Sequence, residues 1–160
     1  MSLESVRAFF AENAPDIAIL ETDGSSATVT LAAEAFGVEP ARIAKTLSFR
    51  LGDRVVLLVT RGDARLDNKK TKAAFGAKPR MLDLDEVVAI TGHPVGGVCP
   101  FGLSSPLPVY CDVSLKVFDE VVPAAGSTQT AVRISPERMA ALTGAQWVDV
   151  CQEPAAQAAE

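Results

Sequence analysis

The chain has 160 residues, 48% of them hydrophobic, and a formal net charge of −5 at pH 7. That length and composition predict one domain with a substantial core, which we place at residues 1–152, and an alanine-rich flexible tail at residues 153–160. The acidic balance argues against a nonspecific nucleic-acid binder with a broad basic face. No apolar run approaches the ~18–20 residues of a membrane span and no secretory signal is evident, so we expect a cytoplasmic protein without membrane contact.

Apolar periodicity, capping residues and turn glycines predict the secondary structure in chain order. The predicted elements are a helix from residue 2 to about 13, strand 17–20, helix 28–36, a helical turn at 41–44, strands 46–51 and 55–60, helix 67–75, strand 80–82, helix 84–90, strand 108–111, a helical turn at 112–115, strands 116–122 and 128–134, helix 137–142 and strand 146–150. Strand 55–60 is almost entirely apolar, which is typical of a central strand covered on both faces. Because hairpins and single helices are mixed, the sequence predicts an α+β fold with a mixed, largely antiparallel sheet.

The stretch from residue 87 to 112 is the most unusual part of the sequence, and its middle is a long loop. It contains the single histidine, two of the three cysteines, four of the ten prolines and four of the eleven glycines. Loops this long are uncommon in compact domains unless they have a function. Gly96 and Gly97 leave backbone N–H groups open to close approach, and Pro100 and Pro106 restrain the chain beyond them. These features indicate a backbone cradle for an anion or a carbonyl oxygen, and a turn-rich connector without a ligand fits them about as well.

The three cysteines, Cys99, Cys111 and Cys151, are widely spaced and odd in number. In a chain without an export signal this pattern predicts reduced, mostly buried thiols. Together with His93 they supply metal-ligand types without the short spacings of structural zinc sites, so we expect no metal and no cofactor. A nucleophile built from Cys99 and His93 stays open, because both residues lie in the same loop.

Two groups of basic residues are candidates for contact with a substrate. Lys45 precedes a half-buried strand and has no acidic residue at helix or hairpin spacing, so it is either a solvated lysine at a strand edge or a binding residue. Seven basic residues fall within twenty positions: Arg61, Arg65, Lys69, Lys70, Lys72, Lys78 and Arg80. Such a cluster is typical of a solvated helix face, and a track for phosphates is the alternative.

Three segments, taken in order, resemble the YbaK / prolyl-tRNA synthetase-associated editing-domain family. They are residues 43–47 (IAKTL), 65–70 (RLDNKK) and 96–102 (GGVCPFG), with further matches at Leu107-Pro108, Asp112, the turn around Gly126 and the helix start at 134–136. The resemblance spans residues 28–150, and the ordered set is more specific than any single motif. It implies a mixed sheet curled into a partial barrel with flanking helices.

The resemblance also implies a function, an aminoacyl-tRNA deacylase that hydrolyses the ester of mischarged aminoacyl-tRNA, with tRNA-Pro carrying alanine or cysteine as the expected substrate. In this family a loop matched here by residues 96–100 holds the ester carbonyl, a lysine matched by Lys45 lies beside the terminal adenosine, and water or a substrate group attacks the ester. The implied catalytic residues are Lys45, Gly96, Gly97, Val98, Cys99 and Pro100, and the implied substrate-binding residues are Thr46, Phe101, Gly102, Asp112 and Ser127. The expected partners are the acceptor end of an aminoacyl-tRNA and an aminoacyl-tRNA synthetase.

Relatives vary at the positions of Thr46 and Cys99, so the amino acid that is removed stays open. Two other hypotheses also stay open. One is a noncatalytic module that binds tRNA ends or a synthetase. The other is a hydrolase whose nucleophile is the thiol of Cys99.

Overall fold

The computed structural model describes residues 2–152, and the tail predicted for residues 153–160 lies outside that range. Within the described range there are five α-helices: α1 (Ser2–Asn13), α2 (Val29–Phe36), α3 (Asn68–Phe75), α4 (Leu84–Thr91) and α5 (Pro136–Thr143). Most of their ends follow local signals. The side chains of Thr28, Asp67 and Ser135 each accept a hydrogen bond from a backbone N–H of the first turn and so cap the N-termini of α2, α3 and α5.

Eight strands complete the described fold: β1 (Leu20–Glu21), β2 (Ile43–Leu51), β3 (Arg54–Arg61), β4 (Arg80–Met81), β5 (Val109–Asp112), β6 (Val122–Pro123), β7 (Thr130–Ala131) and β8 (Gln146–Val148). The main sheet has the order β4-β2-β3-β5-β8, and β6 pairs with the start of β2; β1 and β7 form a second, two-stranded sheet. The long β2–β3 ladder is antiparallel, while β3–β5, β5–β8 and β2–β6 are parallel. The sheet does not close on itself, so the predicted α+β fold with a partial barrel is confirmed.

Strand β3 is covered on both faces, as its apolar sequence predicts. Leu57 and Val59 pack into one core with Cys99 and Phe101. Val56 and Leu58, which alternate with them, pack into a second core with residues such as Phe49 and Cys151. Burial on both faces makes β3 the rigid centre of the sheet, and its neighbour β2 is held against it along eight paired residues.

Two predicted strands are much shorter than the sequence pattern indicates. The predicted strand 116–122 is reduced to β6, because its first residues belong to a 3₁₀ helix over Val113–Val117. The side chain of Asp112 accepts the N–H of Ser114 and starts that 3₁₀ helix. Strand 128–134 reduces to β7, with two further isolated bridges, one between Val121 and Ile134 and one between Ala124 and Ala131. The apolar residues of this region are not in one environment, since Val117 is 66% exposed while Leu115 is fully buried.

The edge of β2 that faces away from β3 positions the site. On this edge the first residues of β2 pair with β6, whereas Phe49 and Arg50 pair with β4. Between them, in the described part of the chain, residues 45–47 have no strand partner on this edge. Strand β2 therefore has a notch in its outer edge, and pairing with β6 explains why it begins at Ile43, earlier than predicted.

Candidate active site

A cavity of about 290 Å³ opens at the notch of β2. One wall is the apolar face of α2, with Val29, Ala32 and Phe36, and the opposite side is the segment from β4 into α4, with Leu82 and Val87. The remaining border comes from β2 itself, from the long loop and from residues 122–131. The lining residues of this border include Ile43, Ala44, Lys45, Thr46, Leu47, Ser48, Val95, Gly96, Val98, Val122, Ala124, Thr130 and Ala131. The cavity is mostly apolar with a few polar groups, which is the usual composition of a small-molecule site.

Lys45 and Thr46 border the cavity from consecutive positions of β2, so their side chains leave opposite faces of the strand. The Nζ of Lys45 donates a hydrogen bond of 2.7 Å to the carbonyl oxygen of Ala64. Burial lowers the pKa of Lys45 from 10.5, and the nearby Cys151 and Asp63 oppose that shift. The ammonium group has three donors, and one of them is occupied by Ala64.

Thr46 lies on the same face of β2 as Ala44, toward the core that contains the long loop. Its Oγ1 is buried and has no hydrogen-bond partner among the described residues. Small or polar residues at Ala44, Thr46 and Ser48 leave room on this face, whereas Leu47 and Phe49 fill the other.

The long loop reaches the cavity with Gly96 and Val98. Gly96 has φ of 87°, a conformation that glycine adopts without strain. Gly97 is needed for a different reason, because a Cβ at that position would lie 2.8 Å from the backbone N and C of Ser127. The N–H of Gly97 closes a turn by donating to the carbonyl oxygen of Pro94, while those of Val98 and Cys99 make no hydrogen bond to another described residue.

Several predicted site residues lie behind the cavity rather than on it. Cys99 and Phe101 are fully buried, and Phe101 packs on Phe10 of α1 with 4.7 Å between ring centroids. Pro100 is also buried, and Gly102 lies so close to α1 that a Cβ would be 2.7 Å from the backbone of Ser5. These residues hold the loop against the core and do not line the cavity.

His93 and Cys99 are neighbours, but neither is accessible. The Nε2 of His93 is 3.6 Å from the Sγ of Cys99 and 2.7 Å from the carbonyl oxygen of Phe101. The Nδ1 of His93 lies within hydrogen-bond distance of the Oγ of Ser2, and the same Oγ is 2.6 Å from the carbonyl oxygen of Gly126. Burial raises the pKa of Cys99 to about 12 and lowers the pKa of His93, so the pair favours the neutral thiol and the neutral imidazole.

Asp112 and Ser127 have separate positions. Asp112 is 1% exposed, and its two carboxylate oxygens accept the N–H groups of Ser114 and Val150, which places it in the core away from the cavity. Ser127 lies against Gly97, and its Oγ is 2.7 Å from the Oγ1 of Thr130, a cavity residue. The structure thus brings Lys45, Thr46, Gly96 and Val98 to one cavity, with Gly97 and Ser127 directly behind them.

Sequence reasoning missed the walls of the cavity. The face of α2 and the β4–α4 segment were assigned only to secondary structure, although they form two of its sides. A usable signal was present in β2, where small and polar residues occupy one face of a strand that is otherwise apolar. Such a face indicates either solvent or a cavity, and only the packing of α2 distinguishes the two.

Two further features of the described residues bear on the chemistry. No group of three His, Cys, Asp or Glu side chains within residues 2–152 is arranged to hold a metal ion. Among the helices of the same range, none has the length and apolar character required to cross a bilayer.

Comparison with known proteins gives a consistent picture. Residues 23–142 match the family model described as the aminoacyl-tRNA editing domain. An uncharacterized protein of Bacillus subtilis (strain 168), YwhH, is 49% identical over 155 residues, which cover 96% of this chain and 99% of YwhH. EbsC of Enterococcus faecalis (strain ATCC 700802 / V583), named as a candidate Cys-tRNA(Pro)/Cys-tRNA(Cys) deacylase, is 32% identical over 121 residues, 74% of this chain and 73% of EbsC.

A solved structure supports the same relationship. It is described as a candidate trans-editing enzyme for prolyl tRNA synthetase, and it superimposes with a TM-score of 0.87 at 33% sequence identity. The match covers 95% of this chain and 98% of that chain.

Proposed function

The chain belongs to the aminoacyl-tRNA editing domain family, and on that premise we propose that it hydrolyses the ester bond of mischarged tRNA-Pro carrying a small amino acid such as alanine or cysteine. The names of two relatives, one referring to Cys-tRNA(Pro) and one to prolyl tRNA synthetase, support this choice of tRNA. The residues proposed to form the editing domain are 1–152. The proposed location is the cytoplasm, where aminoacyl-tRNA is used.

The observation that carries the proposal is the meeting of the loop with β2 at one cavity. Gly96 and Val98 border it from the loop, and Lys45 and Thr46 border it from the strand. The N–H of Val98 makes no hydrogen bond within the described chain, so it is available to a ligand oxygen. We assign to the loop of residues 96–100 the task of holding the ester carbonyl through the backbone at Gly96 and Val98, while Cys99 and Pro100 hold the loop from behind. Fixed backbone N–H donors stabilise the oxyanion that develops on the carbonyl.

Lys45 borders the same cavity from β2, and its side chain leaves the face of the strand opposite to that of Thr46. Its contact with Ala64 fixes the side chain while leaving donors on Nζ for a second partner. An ammonium group is a compact charge suited to a phosphate or to the polar groups of a terminal nucleotide. We therefore assign it to the terminal adenosine of the acceptor end, with Thr46 beside the aminoacyl group.

The proposed nucleophile is water or a group of the substrate. A thiol nucleophile has to be ionised and has to reach the carbonyl carbon, whereas Cys99 is fully buried with its pKa raised to about 12. His93 is equally buried and hydrogen-bonded to the backbone. These observations disfavour the hydrolase that depends on Cys99. Attack by water on the ester carbonyl forms the new C–O bond and breaks the bond to the ribose oxygen, which takes up a proton, so that the amino acid and a tRNA with a free hydroxyl are released; attack by a group on the aminoacyl moiety breaks the same bond and releases a cyclic product.

The charge of the protein limits how tRNA is held. With a net charge of −5, the chain is unsuited to a long electrostatic contact with a phosphate backbone. We propose that it contacts the acceptor end alone and that a synthetase contributes further tRNA affinity. This arrangement agrees with the relative described as acting in trans for prolyl tRNA synthetase.

A panel of charged tRNAs tests the proposal. Alanine, cysteine, serine and threonine are attached to tRNA-Pro and to one unrelated tRNA, proline is attached to tRNA-Pro, and release of each amino acid is followed with purified protein. We expect faster release than the spontaneous reaction for at least one small amino acid on tRNA-Pro, and no release of proline from its cognate tRNA. Binding of these tRNAs without release of any amino acid would contradict the hydrolase and support the noncatalytic module.

A further inference from the structure

Exposed apolar side chains concentrate at the mouth of the cavity. Of the large hydrophobic residues that are exposed in the described chain, three line the cavity: Met81 is 63% exposed, Leu84 is 68% exposed and Val95 is 47% exposed. Val88, 48% exposed, lies one helical turn beyond Leu84 on α4 and shares its face. We call these four residues the apolar rim. Exposed apolar groups that cluster around a cavity mark an interaction surface more often than single exposed residues do.

The size of the cavity decides which part of the substrate meets the rim. At about 290 Å³ the cavity is at the lower end of the range for small-molecule pockets, roughly 300–1,000 Å³. With the aminoacyl ester against the loop and its ribose next to it in a cavity of this size, the base attached to that ribose lies at the mouth.

The charges around the rim fit a nucleic-acid end. Lys78 and Arg80, on the segment that leads to Met81, are exposed and form no ion pair within residues 2–152. On α4, Glu86 is paired with Arg50. The exposed carboxylates of Asp83, at the N-cap, and Asp85 lie on either side of Leu84. The cations on the β4 flank suit a phosphate, and the apolar side chains at the centre suit the flat, weakly polar face of a base.

We propose that the apolar rim binds the terminal nucleobase of the tRNA acceptor end while the ester enters the cavity. The proposal rests on the function proposed above and assigns the part of the substrate that lies at the mouth of the cavity. Apolar contact with a base face does not depend on ionic strength, which suits an acidic protein that grips only the end of its tRNA.

A double-mutant cycle, in which both the protein and the substrate are changed, tests the proposed contact between the apolar rim and the base. The substrates are two short acceptor-end RNAs, chemically charged with the amino acid that the wild-type protein releases fastest, one ending in adenosine and the other in an abasic ribose. The protein variants are M81S/L84S and V117S. Val117 is 66% exposed and lies in the 3₁₀ turn at Val113–Val117, away from the cavity, so it is a matched control.

We expect removal of the base to lower kcat/KM of the wild-type protein at least tenfold. M81S/L84S should show a similar loss on the RNA with adenosine and no further loss on the abasic RNA, and V117S should behave as wild type. Melting curves of all variants should be close to that of the wild type, because the changed side chains are exposed.

Three outcomes would contradict the proposal that the apolar rim binds the terminal nucleobase, and none of them would contradict the proposed deacylation. In the first, M81S/L84S lowers kcat/KM by the same factor on both RNAs, so that the effect of the substitutions does not depend on the presence of the base. In the second, M81S/L84S retains full activity on the RNA with adenosine. In the third, the defect arises only when a synthetase is added, which would assign the rim to a protein partner. Failure of the proposed function is distinct from all three, since the wild-type protein would then release no amino acid from any charged tRNA.

Discussion

The segment from residue 93 to 102 has two faces with opposite properties. Toward the cavity it presents Val95, Gly96 and Val98, which are partly or largely accessible. Toward the interior it presents His93, Cys99 and Phe101, all with zero exposure. The reactive side-chain types are therefore on the face that no substrate reaches, and the face that a substrate reaches offers mainly backbone.

This difference separates two roles of one loop. The inner face fixes the loop, because His93 bonds to the carbonyl oxygen of Phe101 and to Ser2 of α1, while Ser5 of α1 donates to the carbonyl oxygen of Gly102. Phe101 adds ring contacts with Phe9 and Phe10. A loop held in this way keeps its outer N–H groups in place, and preorganised donors are what an oxyanion site requires. Changes on the outer face should affect rate, and changes on the inner face should affect stability.

The largest effect is expected from Gly97→Ala. A Cβ at this position would lie 2.8 Å from the backbone of Ser127, so either the loop or the turn that carries Ser127 has to move. We expect deacylation to fall by about 100-fold, comparable to the loss of one oxyanion donor. Single-turnover deacylation measures the rate, and a melting curve measures whether the variant remains folded.

The matched control for Gly97 is Gly24→Ala, since no atom lies within 4 Å of a Cβ there. That variant should keep the wild-type rate. A folded Gly97→Ala protein at full activity would contradict the assignment of the ester carbonyl to this loop.

The second effect is expected from Lys45→Ala. Removing the ammonium group should lower deacylation by ten- to a few hundredfold, since contacts with a charged donor contribute ~1.5–3 kcal/mol each. Loss of the bond to Ala64 should reduce the free energy of unfolding by only about 1 kcal/mol. Lys45→Arg should recover part of the rate, because guanidinium is larger and planar.

Lys72→Ala, on the exposed side of α3, serves as the control for Lys45 and should change neither rate nor stability. If Lys45→Ala melts several degrees lower and retains its rate, the lysine has a structural role and not a binding one.

The third effect comes from the inner face. Cys99→Ala should retain deacylation within about threefold, because the thiol is buried and un-ionised, and should lower the free energy of unfolding by about 1 kcal/mol. Iodoacetamide should react with Cys99 slowly in the folded protein. A thousandfold loss of rate in this variant, with the fold intact, would restore the thiol as a nucleophile.

The smallest effect is the pH dependence of stability due to His93. Burial lowers its pKa from 6.5, so in the pH window just below 6.5 the unfolded chain binds more protons than the folded one. Stability should therefore fall as the pH drops through this window, by at most ~1.4 kcal/mol per pH unit for one proton. The side-chain groups that face the ring, Ser2 and Cys99, are uncharged there, and the carboxylates whose pKa is lowered titrate below the window.

Denaturant unfolding at several pH values compares the wild-type protein with His93→Gln. The variant should be less stable throughout and should show a smaller decline as the pH falls below 6.5. Equal declines in the two proteins would place the titrating group elsewhere.

The sequence alone predicted the fold class, the helices and the family, because each of these depends on local signals. Residues 28–36 and 67–75 have an N-cap residue, an apolar face and a following glycine, and the structure has helices there within one residue. The three ordered segments at 43–47, 65–70 and 96–102 indicated the editing-domain family, and the match over residues 23–142 confirms it. The short strands β6 and β7 were overestimated, since their pairing depends on Val121, Ile134 and Ala124 meeting partners that the local pattern does not specify.

The location of the cavity, and which of the predicted residues border it, depended on the tertiary structure. The sequence pointed to Asp112 and Lys45 alike, yet the fold uses both oxygens of Asp112 to bind backbone N–H groups and leaves Lys45 at an open strand edge. Walls of the cavity come from α2 and α4, which are separated by more than forty residues and brought together only by their packing on β2. Hydrophobic periodicity encodes which face of an element is buried but not what it packs against, so the notch in β2 and its apolar rim emerge only from the assembled chain.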